Sequence, residues 1–229
     1  MPEHRYAQFC PTARAAEILG ERWTLLIARE LLCGAQRFSD LRRRLPGISS
    51  SVLSERLGRL EERGLLWRRE LPPPAPATLY ALTELGETLR PAMLELIRFG
   101  ARFVGAPQPG DHLEPDWMRL ALPAFARADA TPARRFAVRI PAPEGELRLH
   151  VAGGRRGTRV RDGDGPADAT LRCGPLVLLG LLSGGLAPDA ALASGGLEAE
   201  GDLAALEDFA SLFDLASLHA RPEPTPTED

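Results

Sequence analysis

Small hydroxyls and arginines crowd one stretch of the chain, residues 36–66, QRFSDLRRRLPGISSSVLSERLGRLEERGLL. Ser49, Ser50, Ser51 and Ser54 can donate to phosphate oxygens or base edges, and Arg56 and Arg59 carry guanidiniums matched to phosphate or guanine. Arg37, Arg42 and Arg43 precede them, and Arg68 and Arg69 follow. Residue types of this kind, close together, suit contact with double-stranded DNA.

The elements that must position them can be read from spacing. Ser39 is placed as the N-cap of a first helix, where its hydroxyl would accept from an unpaired backbone amide. Leu53, Leu57 and Leu60 recur at helical spacing in a second helix, and Gly64 follows as its stop. The two meet across Leu45-Pro46-Gly47-Ile48, which makes a helix-turn-helix. Ser50, Ser51, Ser54, Glu55, Arg56 and Arg59 then fall off the apolar stripe. Arg56 and Arg59 rank first for groove or backbone contacts, although Arg56 has an alternative in an ion pair with an acid such as Asp40. Arg42, Arg43 and Arg44 lie on the first helix, where phosphate contacts would fix register. At least one of the three is expected to be only a solvated face.

Two further helices precede this pair, Thr12 to Leu19 and Arg22 to Leu32, the second striped by Trp23, Leu26, Ile27 and Leu31. After it, Leu65 to Leu71 and Thr78 to Leu82 form a β-hairpin with a stiff proline-rich tip at residues 72–77. A hairpin beside a helix-turn-helix is a wing. Arg68 and Arg69 on it either reach phosphates or a minor groove, or are ordinary solvated strand residues. Thr83 caps a longer helix to about Phe103, which Pro91 should bend or split. Its surplus of apolar residues is read as a dimer contact, the alternative being packing against the second half.

The chain has 229 residues, 44% hydrophobic and 26% charged, enough for two globular domains. No run approaches the ~20 apolar residues that span a bilayer. The start lacks a basic-then-apolar signal pattern, so a cytoplasmic location is expected. Cys10, Cys33 and Cys173 are too few and too scattered for a disulfide framework. All 28 basic residues are arginine. Residues 1–105 hold 16 arginines and 12 acids, a balance of +4, while residues 106–229 hold 12 arginines and 19 acids, a balance of −7. The basic half carries the footprint of a phosphate binder; the acidic half should avoid DNA.

Cys10-Pro11, GERWTLLIARELL, RFSDLRRRLPGIS, LSERLGRLEERGLL and YALTELG together resemble the HxlR family of winged-helix transcriptional regulators, over about residues 9–104. The resemblance implies a homodimeric bacterial repressor or activator, with Ser49 to Arg59 reading DNA, the hairpin as wing and a final dimerising helix. The tip, four prolines and two alanines, departs from the family's more mixed loop, which weakens the case for wing contacts. Resemblance also makes Cys10 a redox-switch candidate; Arg14 and the start of a helix would lower its thiol pKa. The alternative is a small buried hydrophobe at the dimer seam.

Residues 105–110, GAPQPG, read as a linker. Beyond it come a helix Leu113 to Ala128 kinked at Pro123, strands at Phe136–Ile140, Leu147–Val151, Thr158–Arg161 and Ala169–Cys173, helices at Leu176–Leu182 and Pro188–Ala193, a strand Gly196–Glu200 and a last helix Leu203–Leu218. Grouped strands flanked by helices indicate an α+β domain. The segment from Pro166 to Phe213, with a G-L-x-x-x-G-D passage at Gly196 to Asp202, resembles the sterol-carrier-protein fold over about residues 113–218. That implies an antiparallel sheet covered by helices around an apolar tunnel for a lipid or other hydrophobic small molecule. Phe125, Leu179, Leu182, Leu186, Phe209 and Phe213 are candidate lining residues, each with ordinary core packing as its alternative.

No catalytic constellation emerges, and neither a cofactor nor a metal site is expected. The four histidines lack metal-ligand spacing with the cysteines, Gly153 to Gly157 lies between strands, and Gly180 to Gly185 has no P-loop lysine. The expected architecture is a mainly α winged helix-turn-helix domain (1–105), a linker (106–112), an α+β sterol-carrier-like domain (113–218) and a disordered tail (219–229). The expected function is transcriptional regulation modulated by a hydrophobic small molecule. The competing readings are a redox-sensing regulator using Cys10 and a lipid carrier tethered to DNA.

Overall fold

Pro11 opens α1 (Pro11–Leu19) at the first helical position, where a missing N–H leaves nothing unpaired. The structure, a computed structural model, describes residues 5–72, 77–105, 107–143 and 145–215 and divides into two units, Met1–Met93 and Leu94–Asp229. The proline-rich wing tip at 73–76 and the tail from residue 216 lie outside the described residues.

In the first unit, α2 (Thr24–Leu32) and α3 (Phe38–Arg44) precede the turn and α4 (Ser50–Glu62) follows it. Ser39 lies within α3 and does not cap it. Arg37 takes the N-cap position, because β1 (Gln36–Arg37) is held by pairing with β3 (Ala77–Leu82) and α3 can start only after it. Ser49 caps α4, accepting from the Val52 amide at 3.3 Å. The helix ends as spacing predicts: the Gly64 amide bonds Glu61 at 2.8 Å and the Leu65 amide bonds Leu60 at 2.9 Å, with Gly64 at φ +69°. This reciprocal closure needs a left-handed residue, which glycine adopts without strain. Leu53, Leu57 and Leu60 are buried with Ile27, Leu31 and Leu41.

β2 (Leu66–Leu71) and β3 form the antiparallel hairpin, Leu66 opposite Leu82 and Leu71 opposite Ala77. Thr83 caps α5 (Glu84–Glu87), and the helix is split as expected, with Pro91 in the first turn of α6 (Arg90–Ala101). α6 crosses the unit boundary. Ile97 and Ala101 pack against the core of the second unit, to which they belong, while Leu96, Phe99 and Phe103 are exposed. One face of this helix therefore packs, and the other is open.

The second unit contains a short 3-10 turn (Pro115–Trp117), α7 (Met118–Phe125) and a five-stranded sheet of β4 (Arg135–Ala142), β5 (Gly145–Ala152), β6 (Arg159–Asp162), β7 (Ala169–Cys173) and β8 (Leu197–Gly201). The order is β6-β5-β4-β7-β8. The sheet is mixed, not wholly antiparallel as expected: β4 and β7 run parallel, with Val138 beside Leu171. Residues 163–168 carry the chain from β6 back over the outer face to β7. This passage buries His150, whose Nε2 lies 2.8 Å from the Pro166 carbonyl oxygen. The inner face, with Phe136, Val138, Ile140 and Leu149, packs under α7, α8 (Pro175–Leu182) and the C-terminal turns. The expected last helix is three short turns, Leu203–Ala205, α10 (Leu206–Phe209) and Ala210–Leu212. It stops there because Phe213 pairs with Ala126 and the Asp214 amide bonds the Phe125 carbonyl at 2.7 Å.

Candidate nucleic-acid interface and apolar cleft

The N-terminal half of α4 presents its hydroxyls to solvent. Ser49, Ser50, Ser51 and Ser54 are all exposed, and Ser50 and Ser54 share a face one turn apart. The Ser49 hydroxyl is committed to capping and lies 3.0 Å from that of Ser51. The free amides of the first turn add partial positive charge beside them.

Arg56 and Arg59 are arranged differently from expectation. Both turn back to Glu21, before α2: Arg56 Nη1 lies 2.7 Å from Glu21 Oε2 and 3.2 Å from Glu55 Oε1. Arg59 pairs with Glu21 and with Glu55, the latter at 2.7 Å. Arg56 Nε also donates to the Arg22 carbonyl at 3.4 Å. The acid that takes Arg56 is thus Glu21 and not Asp40, which lies 3.6 Å from Arg43. Next to Arg22, Trp23 holds φ +80°, a conformation bulky residues rarely adopt, and stacks under the Arg22 guanidinium at 5.2 Å. Arg56 therefore ties α4 to a strained turn.

The three consecutive arginines of α3 part company. Arg42 is exposed with no partner among the described residues, and Arg43 is exposed beside Asp40. Arg44 is not a solvated face: it reaches Glu30 at 3.6 Å, a carboxylate wholly removed from solvent that Arg29 also holds at 2.6 Å. Arg37 is exposed at the edge of the small sheet. On the wing, Arg68 lies 3.4 Å from Glu61 and Arg69 sits 5.5 Å over the Trp67 ring, both exposed.

In the second unit an apolar cleft of about 160 Å³ opens between the α8–α9 connection, strands β7 and β8, and the C-terminal turns; α9 is Pro188–Ala193. Leu171, Leu181, Leu186, Leu197 and Phe209 form its walls and Glu207 contributes the charged group.

Residues 18–108 match the HxlR-like helix-turn-helix family, and residues 122–214 match the SCP-2 sterol transfer family. The chain is 38% identical over 100 residues to the HTH-type transcriptional regulator YvaP of Bacillus subtilis, covering 43% of this chain and 92% of that one. The chain belongs to the HxlR-like helix-turn-helix family. It is also 35% identical over 103 residues to the regulator YodB of B. subtilis, covering 44% of this chain and 89% of YodB. With the regulator Rv3095 of Mycobacterium tuberculosis it shares 42% over 95 residues, 60% of that protein's length. A solved structure of reduced YodB aligns over 45% of this chain and all of that one, at 34% identity and a TM-score of 0.38.

This HxlR-like protein is a DNA-binding transcriptional regulator with a second domain of the SCP-2 type. Of the six residues expected to line its tunnel, Leu186 and Phe209 border the cleft. Phe125, Leu182 and Phe213 do not; at 5%, 2% and 4% exposure they are packed core. Leu179 is half-buried against that core and away from the cleft walls.

Cys10 stands at the N-cap of α1. The amides of Ala13 and Thr12, with the Thr12 hydroxyl, hold its thiol below the ordinary range. Arg14, expected to do this, is engaged by Glu17 at 2.7 Å. Cys173 is the opposite case, pushed up to about 11 by burial. Sequence reasoning missed Glu21, Glu30 and Trp67. Glu30 was findable, because it falls on the stripe with Ile27 and Leu31, where an acid needs a partner. Glu21 was not, because its arginines lie far along the chain.

Proposed function

We propose that this regulator works as a cytoplasmic homodimer that seats the start of α4 in the major groove of its operator. Ser50, Ser51 and Ser54 contact base edges and phosphates, and Arg37, Arg42 and Arg43 fix register on the backbone. Arg68 and Arg69 extend the contact along the wing. Arg56 and Arg59 hold α4 in place from behind. The observation that carries this reading is the exposed hydroxyl face on a capped helix whose arginines are already paired with Glu21. The open face of α6, with Leu96 and Phe99, and the exposed Phe103 just beyond its end support pairing of two copies. The expected result is that Arg42→Ala flattens the salt dependence of DNA affinity by about one unit per chain. An unchanged slope removes Arg42 from the interface.

The cleft supports control by a compact apolar molecule. Its volume is close to that of an engineered cavity of about 150 Å³ that takes benzene, and well below the ~300–1,000 Å³ of drug-sized sites. A single-ring ligand fits the cleft as it stands, whereas a sterol or long acyl chain requires it to open. A ligand favouring one DNA-competent state shifts that population by linkage. Native mass spectrometry with and without the DNA upstream of its own gene tests this: retained ligand and bound DNA should exclude or promote each other. Independent occupancies would sever the link.

A second reading makes Cys10 the sensor, favoured by its lowered thiol at the start of α1. Oxidant-dependent DNA affinity that disappears in Cys10→Ser would support it.

A further inference from the structure

Among the described residues, the acidic half of the chain pairs most of its arginines with its own carboxylates. Arg119, Arg127, Arg134 and Arg135 each hold an aspartate. On the open face of the sheet, Arg139, Arg148 and Arg172 share Glu146, with Asp164 and Glu198 completing the network. Among the described residues from 113 onward, only four arginines lack a carboxylate: Arg155, Arg156, Arg159 and Arg161. All four lie on the β5–β6 hairpin and all are exposed. Arg161 reaches His150 Nδ1 at 3.4 Å; the other three have no polar partner among the described residues.

Acids outnumber arginines 19 to 12 in residues 106–229, so three neighbouring guanidiniums without a partner run against the local supply of charge. Nearby carboxylates are already taken: Asp162 by Arg119, Asp129 by Arg127 and Asp168 by Arg135.

The hairpin is also held rigidly. A Cβ on Gly153 would lie 2.3 Å from the Pro132 carbonyl oxygen, and one on Gly157 would lie 2.4 Å from that of Arg127. The Gly154 amide donates to Thr131 Oγ1 at 2.9 Å and the Thr158 amide to Arg127 at 2.8 Å. Fixed backbone with unengaged guanidiniums presents charge at little ordering cost. Between the close-packed glycines the turn carries only Gly154, Arg155 and Arg156, with no amide or aromatic side chain to read a base.

We infer that this turn is a second, sequence-independent phosphate contact of the regulator, taking DNA backbone outside the site read by α4. The inference rests on the first unit binding DNA, since a tethered basic turn then meets phosphates at high effective concentration. Guanidiniums suit phosphate oxygens through paired N–H donors.

The test uses the full chain and a mixed-sequence duplex of about 40 base pairs, with affinity measured across a salt series. Removing the three guanidiniums in Arg155→Ala/Arg156→Ala/Arg159→Ala should flatten the slope of log affinity against log salt by about 2–3 per chain. The corresponding triple lysine variant should keep the slope, and unchanged thermal unfolding of both excludes a folding defect. Equal slopes for the wild type and the alanine variant overturn the inference alone. Absence of any duplex binding by the wild type would overturn the reading of the first unit and the inference with it. Equal DNA slopes combined with lost binding to phosphatidylglycerol vesicles would assign the turn to a lipid surface, which also overturns it.

Discussion

Replacing Arg56 by alanine should destabilise the DNA-binding unit while leaving the electrostatics of DNA binding nearly untouched. The side chain is 16% exposed and Glu21 is 28% exposed, so the pair lies between surface and interior. Exposed pairs contribute up to about 1 kcal/mol, and breaking a buried pair costs about 3–5 kcal/mol. Arg56 also loses Glu55 and the Arg22 carbonyl, which places the expected cost near 2 kcal/mol. For a unit of this size each kcal/mol moves Tm by roughly 4–8 °C, so the unit should melt roughly 8–16 °C lower. The assay is thermal unfolding followed by tryptophan fluorescence in a Trp117→Phe background, where Trp23 and Trp67 report only the first unit. A double-mutant cycle with Glu21→Ala should return a coupling of about 1 kcal/mol or more. DNA affinity, measured well below the new Tm, should keep its salt slope. Native stability together with a slope flattened by about 0.9 per chain would refute the argument and place Arg56 on a phosphate.

Three further outcomes follow from the same structure. Glu30→Ala leaves Arg29 and Arg44 around an empty buried position and should cost about 3–5 kcal/mol, read as a lower urea midpoint. Alkylation by iodoacetamide near neutral pH should modify Cys10 first, because a thiol held below its usual range is more ionised there; Cys33 and Cys173, both buried, should react only on unfolding. Mass mapping that finds Cys173 labelled as fast as Cys10 would contradict the packing. Leu186→Trp should fill the cleft and abolish uptake of a single-ring apolar probe without altering the circular dichroism of the chain, and retained uptake would move the binding site elsewhere.

What sequence could supply was local. Leu53, Leu57, Leu60 and Gly64 repeat or terminate within one helix, so their spacing alone fixes its buried face and its end. Pro91 divides a helix through its own covalent geometry. The errors concern contacts made at a distance. Ser39 looked like a cap because the pairing of β1 with β3, which starts the helix at Phe38, joins residues more than 40 positions apart. The parallel β4–β7 pair was hidden because the chain passes from β6 back to β7 in only residues 163–168, a length that normally signals a hairpin. Phe125 and Phe213 looked like tunnel lining because apolar character does not distinguish a wall from a core.

Arginine is where this limit bears most on function. Composition alone assigns the basic half of this chain to DNA and excludes the acidic half, yet an arginine already held in a partly or fully buried ion pair has little to offer a phosphate. Applied residue by residue, that criterion withdraws Arg44, Arg56 and Arg59 from the basic half, through Glu30 and Glu21. It leaves Arg37 and Arg42 exposed and unpartnered among the described residues. The same criterion, applied where net charge is −7, leaves Arg155, Arg156 and Arg159, with Arg161 turned to His150. Long-range repulsion from an acidic domain is screened within about 10 Å at ordinary ionic strength, whereas a guanidinium touching a phosphate acts within that distance. Net charge therefore governs how the second domain approaches DNA, and the pairing of each arginine governs whether it makes contact once there.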